Sequence, residues 1–361
     1  MMKNEELEKI EYNSEEFNKL TVEEKNEWYS LKLFDKNTKE IKYILVTDFI
    51  HESLIKEHYT RTGLYQWQNV FRGTVKNLQD IEDVNEYDII QVNMSGQDMR
   101  LIGDVKDKIT NAKTLVVANN DYTSEMWASS FPHPSTVKRE VQMADMVFGT
   151  EYFMSVALTE ILGRTVHIIP HPCDVKRLKS LDKKDVKDVI STIWRRYDKH
   201  AYVPSIAVKN CGLRTYLVGY DKTLDPKVWM TTTLYDKVYA GTNYMDFCDM
   251  LRQSKIVYNP FTFHSYDRTG VDCAAMGVPL VGSNRTQSNV LCYPYTSVDP
   301  YDVKGARQLI QRLLTDEEFK DMVVKTALEK SEFYNHENSK LKYLQALYDE
   351  KEKKNTRESK E

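Results

Sequence analysis

His264–Ser283 reads HSYDRTGVDCAAMGVPLVGS. Upstream, the run KIVYN ends at Asn259-Pro260, the profile of a strand that stops at a proline. A polar loop follows, then a short helix over about 267–276 that Gly277 closes, then the strand VPLV over 278–281. A helix amino terminus presents unpaired N–H groups and a partial positive charge, a ready seat for a diphosphate. Ser265 and Thr269 add hydroxyls there and Arg268 a full charge, and Gly270 belongs to the same candidate donor site. Tyr266 and Asp267 complete the loop.

Outward from this stretch, short apolar runs alternate with helical segments. YILVT (43–47), YDIIQV (87–92), TLVVA (114–118), 146–149 and 166–169 read as strands. Continuous apolar runs suit parallel strands buried on both faces. The pattern restarts after a charged helix at 179–187, with strands at 189–194, 214–218, 237–240, 255–259 and 278–282. Helices are expected at 52–59, 98–110, 151–162, 198–210, 303–314, 317–333 and 338–348. Another ends near Ala144, and one capped by Thr242 or Asn243 runs to Arg252.

Such βα alternation predicts two α/β units, each a doubly wound parallel sheet, facing a cleft. The expected divisions are a charged amino-terminal extension (1–40), a first Rossmann-like domain (41–172), a second (173–335), and a terminal helix with a charged tail (336–361). A length of 361 residues fits two cores. Open parallel sheets bind ligands beyond the strand carboxyl ends, so chemistry is sought there.

Here the chain resembles the group 1 glycosyltransferases, a retaining family with the two-domain GT-B fold. Their signature places one acid, seven residues, a second acid, then a stretch like EAMACGVPVV; DCAAMGVPLV (272–281) matches its second half. The resemblance implies that Asp272 holds the donor ribose. The family's sugar-contacting acid falls at His264, where this chain departs from the pattern. Family members bind the diphosphate with an arginine and a lysine after the second domain's first strand; IWRRYDKH offers Arg195 or Arg196, then Lys199. IIPHPCD (168–174) stands where the family has its interdomain segment. The implied donor is a nucleotide-diphosphate sugar, UDP in the first instance, with no other cofactor and no metal.

Asn119-Asn120-Asp121 follows a strand. With one carboxylate it reads as an acceptor or sugar contact, or as a turn, rather than a metal motif. Asp121 and His264 are the candidate catalytic groups; Asn93 is a further lining candidate. His171, between two prolines, reads as structural. A net charge of −4 does not demand a nucleic-acid partner and leaves room for a local basic face. Five scattered cysteines argue against disulfides or zinc and for a reducing, cytoplasmic setting. No apolar run is long enough to span a membrane. The other readings left open are a GT-B epimerase, a transferase acting on modified DNA bases, and a non-catalytic nucleotide-sugar-binding scaffold.

Overall fold

The computed structural model describes residues 2–47, 63–93, 101–120, 134–182, 184–194, 202–219, 234–239 and 241–359. These residues form two compact units: Met1–Pro172 with His336–Glu361, and Cys173–Asn335.

The first unit holds six strands: β1 (Tyr43–Val46), β2 (Thr74–Lys76), β3 (Ile89–Asn93), β4 (Leu115–Asn120), β5 (Met146–Gly149) and β6 (His167–Ile168). All pair in parallel, in the order β2-β1-β3-β4-β5-β6. Every residue of β1, β3 and β5 is buried, as the apolar runs require. β2 has no counterpart in the sequence reading. Three residues, Thr-Val-Lys, are too few to show a period.

Helix Tyr152–Leu162 starts where the Glu151 carboxylate accepts the N–H groups of Phe153 and Met154, each at 2.8 Å. It stops at Gly163, whose φ of +67° is the left-handed conformation that glycine adopts without steric cost.

The amino-terminal stretch is part of this unit rather than an appendage. Helices Asn4–Leu7, Glu15–Lys19 and Val22–Phe34 bury Leu7, Phe17, Trp28 and Tyr29. Helix His336–Glu358 packs against Val22–Phe34. There Tyr12, Phe17, Trp28, Tyr29 and Tyr348 form an aromatic cluster with ring centroids 5.0–6.2 Å apart. Three short helices divided by turns hide the periodicity that would announce this face. The terminal helix also runs ten residues past its expected end at 348, because its lysine-rich end is made of good helix formers with Glu350–Lys353 pairing at 2.9 Å.

Glu350 anchors this helix to the sheet edge. It accepts from His167 Nε2 at 3.0 Å and Lys353 Nζ at 2.9 Å. Burial pushes its pKa up, but the bonds from His167 and Lys353 outweigh that and hold it at about 2. A carboxylate depressed in the folded state contributes stability above its ordinary value of 4.5 and loses it as pH falls toward 2. Urea unfolding of Glu350→Gln should therefore lose less stability than wild type between pH 4.5 and 2. Parallel curves across that window would refute the assignment.

The second unit holds β7 (Lys187–Trp194), β8 (Arg214–Gly219), β9 (Lys237–Tyr239), β10 (Ser254–Asn259), β11 (Leu280–Ser283) and β12 (Ser297–Val298). All are parallel, in the order β12-β11-β10-β7-β8-β9. Counted within the unit this is 6-5-4-1-2-3, the doubly wound order of dinucleotide-binding sheets. Two residues long, β12 was not anticipated either. The helix expected over 198–210 is a single turn, Tyr202–Ser205, followed by a 3₁₀ turn, Ile206–Val208; its residues 198–201 lie outside the described set. Asn243, not Thr242, caps helix Tyr244–Arg252, accepting from Asp246 N at 2.8 Å. Among the described residues no helix is long and apolar enough to cross a membrane.

Candidate functional site

In the second unit, β7 and β10 lie side by side, and the strand order reverses between them. A doubly wound sheet opens its ligand crevice at that reversal, beyond the strand carboxyl ends. β7 ends at Trp194 and β10 at Asn259, so the crevice is bordered by whatever follows each. After β10 comes the loop 260–267 and then helix Arg268–Met276, the stretch singled out from the sequence.

The loop is pinned from the far side by the segment after β11. Ser265 N donates to Arg285 O (3.2 Å), Gln287 N to Ser265 O (2.9 Å) and Ser288 N to Tyr266 O (3.2 Å). Asp267 turns the chain into the helix with φ +45° and ψ +102°, outside the left-handed helical region. Its carboxylate accepts Thr269 N at 3.1 Å and Asn259 Nδ2 at 2.5 Å. One amino-terminal N–H of the helix is thus already taken by an acid, so an anion bound here must share the terminus with Asp267. Gly277, with φ +69°, ends the helix as expected.

The helix is enclosed by helices Val175–Ser180, Tyr244–Arg252, Gln287–Cys292 and Glu317–Ser331. Its polar residues turn inward. Arg268, 4% exposed, donates from Nε to Asp272 Oδ1 (3.1 Å) and from Nη2 to the Tyr244 hydroxyl (2.8 Å). Its guanidinium also stacks on the Tyr244 ring, 4.6 Å from the centroid. Asp272 is wholly buried; Oδ1 further accepts from the Tyr244 hydroxyl (2.9 Å) and the Cys173 thiol (3.6 Å). Burial works against the Arg268 charge, but the Asp272 carboxylate together with Tyr244, Cys173 and Tyr266 more than offsets it and lifts the pKa well above the ordinary value. Burial, reinforced by Asp272, also raises the Cys173 thiol well above its usual range, so that sulfur stays protonated.

This geometry revises several single-residue expectations. Asp272, cast by the resemblance as the ribose contact, is wholly buried and holds Arg268 through Oδ1, while its Oδ2 has no hydrogen-bond partner among the described residues. Arg268 is likewise an internal ion pair rather than a cation facing the crevice. Gly270 is demanded by packing, because a Cβ there would lie 2.5 Å from Asn289 Oδ1 and from Ser288 Oγ. Tyr266 is buried with its ring 5.6 Å from that of Tyr334, and Thr269 is buried as well. His264 and Ser265 are half-buried and remain on the loop. Asp121, Arg195, Arg196 and Lys199 lie outside the described residues.

Sequence reasoning overlooked Arg285 and Tyr244. Arg285 follows β11 on the strand next to β10, donating to Thr262 O at 3.0 Å and pairing with Asp299 at 3.4 Å. The signal was present: GSNRT after an apolar strand repeats the pattern of a strand followed by small and polar residues. Tyr244 gave none, since its role depends on a helix 24 residues away in sequence.

In the first unit the order reverses between β1 and β3. A buried chain of hydrogen bonds crosses three strands there. The Tyr43 hydroxyl donates to Gln91 Oε1 (2.8 Å), Gln91 Nε2 to Asn119 Oδ1 (2.9 Å), and Asn119 Nδ2 to Asn93 Oδ1 (3.0 Å). Asn93 is the last residue of β3, so the chain runs from the core to the strand's carboxyl end. His171 is structural: buried, it accepts from Trp67 Nε1 at 3.2 Å and lies against Gly63.

Among the described residues no group of three or more His, Cys, Asp or Glu is placed to hold a metal.

No protein-family profile and no curated protein matches the chain. Solved structures do. The chain is similar to sucrose-phosphate synthase from Thermosynechococcus elongatus, with 12% identity over 85% of this chain and 98% of that one and a TM-score of 0.62. It is similar to HepE from Anabaena in complex with UDP-glucose, at 12% identity, 84% and 98% coverage and a TM-score of 0.59. An alpha-glucosyltransferase in complex with UDP and a 13-mer DNA containing an HMU base matches at 12% identity, 81% and 95% coverage and a TM-score of 0.59. With its two six-stranded parallel sheets, the chain has the two-unit Rossmann-like GT-B fold of these glycosyltransferases.

Proposed function

We propose that the protein is a glycosyltransferase that takes a sugar from a nucleotide-diphosphate donor, without a metal and with retention of configuration. The observation that carries this reading is the coincidence of two independent features. The stretch resembling the group 1 signature, 272–281, belongs to the helix–strand unit that follows β10, at the reversal of the second sheet.

In this reading the donor diphosphate lies beyond β7 and β10. Its charge is met by the helix amino terminus at 268–269 and by Arg195, Arg196 and Lys199, which follow β7 in sequence. These groups stabilise the negative charge that builds on the leaving diphosphate. His264 contacts the donor sugar from the loop, and Ser265 lies beside it. Arg268 and Asp272 are positioning residues that hold the helix start against Tyr244. The first unit receives the acceptor, with Asn93 at the carboxyl end of β3 and Asp121, which follows β4 in sequence. A cytoplasmic location fits five buried, unbridged cysteines.

Calorimetry with UDP and UDP-glucose, with and without EDTA, tests the reading. Binding should survive EDTA. His264→Ala should keep its UDP affinity but lose about tenfold for UDP-glucose, roughly the worth of one hydrogen bond to a sugar hydroxyl. No binding of any nucleoside diphosphate or its sugar conjugate would defeat the proposal.

A second reading, transfer to a modified base in DNA, is favoured only by the likeness to the DNA-bound glucosyltransferase. Offering HMU-containing DNA beside free sugar phosphates as acceptors, with radiolabelled donor, separates the two.

A further inference from the structure

A cavity of about 330 Å³ opens in the second unit between helix Tyr244–Arg252 and the face of β7, β8 and β9. Lys187 and Ser254, the first residues of β7 and β10, line it. These two residues are at the amino-terminal ends of β7 and β10, about 17 Å along a six-residue strand from its carboxyl end, while Tyr239 in the wall is the last residue of β9, in register with Val218 and through it with Ile193.

Its floor is Val189 and Ser254, both buried. Two half-buried tyrosines, Tyr216 and Tyr239, form one wall edge to face, centroids 5.4 Å apart at 63°. The rim carries Asp246, Asp249, Lys187 and Gln253. Of its charges, Asp249 is matched by Arg252 and by Lys184 (3.3 Å), whereas Lys187 Nζ donates to the neutral Gln253 Oε1 and Asp246 Oδ2 accepts from the Asn243 amide (2.6 Å). With one ammonium, Lys187, and one carboxylate, Asp246, left without a counter-charge on the rim among the described residues, neither sign of ligand charge is favoured. Four polar groups are uncommitted among the described residues: both tyrosine hydroxyls, the Gln253 amide N–H and Asp246 Oδ1. They mix donors and acceptors around aromatic faces, and a ring bearing several hydroxyls satisfies both kinds at once. The volume lies at the bottom of the range for small-molecule sites, roughly 300–1,000 Å³, which suits one sugar ring and not a nucleotide sugar.

We propose that this cavity is a second carbohydrate site, which binds a single neutral pyranose separately from the donor crevice. Ring C–H groups lie on Tyr216 and Tyr239, and hydroxyls bond to Asp246 and Gln253. It would tether a glycan to the second unit, and it stands whether or not the donor reading does.

Saturation-transfer NMR with the methyl glycosides of glucose, galactose and N-acetylglucosamine tests it on the full chain. At least one should receive saturation, and an excess of UDP should not displace it. Met250→Trp, which fills the cavity from the helix side, should abolish the signal; Tyr239→Ala should weaken affinity about tenfold, the upper range for one lost aromatic face. Amide shifts in the labelled wild-type protein should centre on 216, 239, 246 and 253, a readout that needs no variant. Absence of transfer to all three glycosides, displacement by UDP, persistence in Met250→Trp, or shifts centred elsewhere would each overturn the proposal.

Discussion

Arg268→Ala should destabilise the second unit by about 3–5 kcal/mol, the cost of leaving a buried carboxylate without its counter-charge. Asp272 is wholly buried, and its other neighbours, the Tyr244 hydroxyl and the Cys173 thiol, are neutral donors. For a domain of this size each kcal/mol moves the melting temperature by about 2–4 °C, so the expected drop is roughly 6–20 °C by calorimetry. Removing both charges at once, as Arg268→Met with Asp272→Leu, should recover most of that loss, because an apolar pair of similar volume avoids desolvating two ions. The double variant then separates the structural role from the functional one. If the pair only positions the helix start, UDP binding returns with the fold. If it stays lost in a stable double variant, one of the two residues reaches the nucleotide directly. A loss below about 1 kcal/mol in Arg268→Ala would place the guanidinium in solvent and restore it as a diphosphate ligand.

Gln91→Leu should cost about 2–6 kcal/mol in urea unfolding, since it orphans two buried groups at about 1–3 kcal/mol each. The Tyr43 hydroxyl loses its acceptor, and Asn119 Oδ1 its donor. Burial already lifts the Tyr43 pKa well above its ordinary value, so the hydroxyl stays a neutral donor that needs an acceptor. Tyr43→Phe added to Gln91→Leu removes one orphan and should restore about 1 kcal/mol or more. No gain from the second change would show that the hydroxyl has another partner. Since the chain of amides ends at Asn93, the same variant should impair acceptor use more than donor binding, and a uniform loss of both would count against that role.

Much of this was legible in the sequence. Among the described residues, apolar runs located ten of the twelve strands, and Gly163 and Gly277 located helix ends, because each of these signals is local. The missed strands, β2 and β12, are three and two residues long and sit at sheet edges. One further signal was there to be read: Arg268 and Asp272 stand four apart on a helix, the spacing of an intrahelical ion pair. The family resemblance drew attention to the nucleotide instead.

The sequence by itself determined the alternation of strands and helices and the position of the longer strands, and that the stretch after β10 is a polar loop opening a short helix. Those choices depend on backbone sterics and on the period of apolar residues, which act over a few neighbours. Only the tertiary structure decided which polar side chains that helix keeps for its own core. Enclosure by four other helices turned Arg268, Thr269 and Asp272 inward and left His264 and Ser265 on the loop. Likewise, Tyr43, Gln91, Asn119 and Asn93 are far apart in sequence until parallel register sets their strands side by side. Burial is a property of neighbours brought from a distance, and the balance between desolvation and pairing that settles a polar residue's role exists only once they arrive.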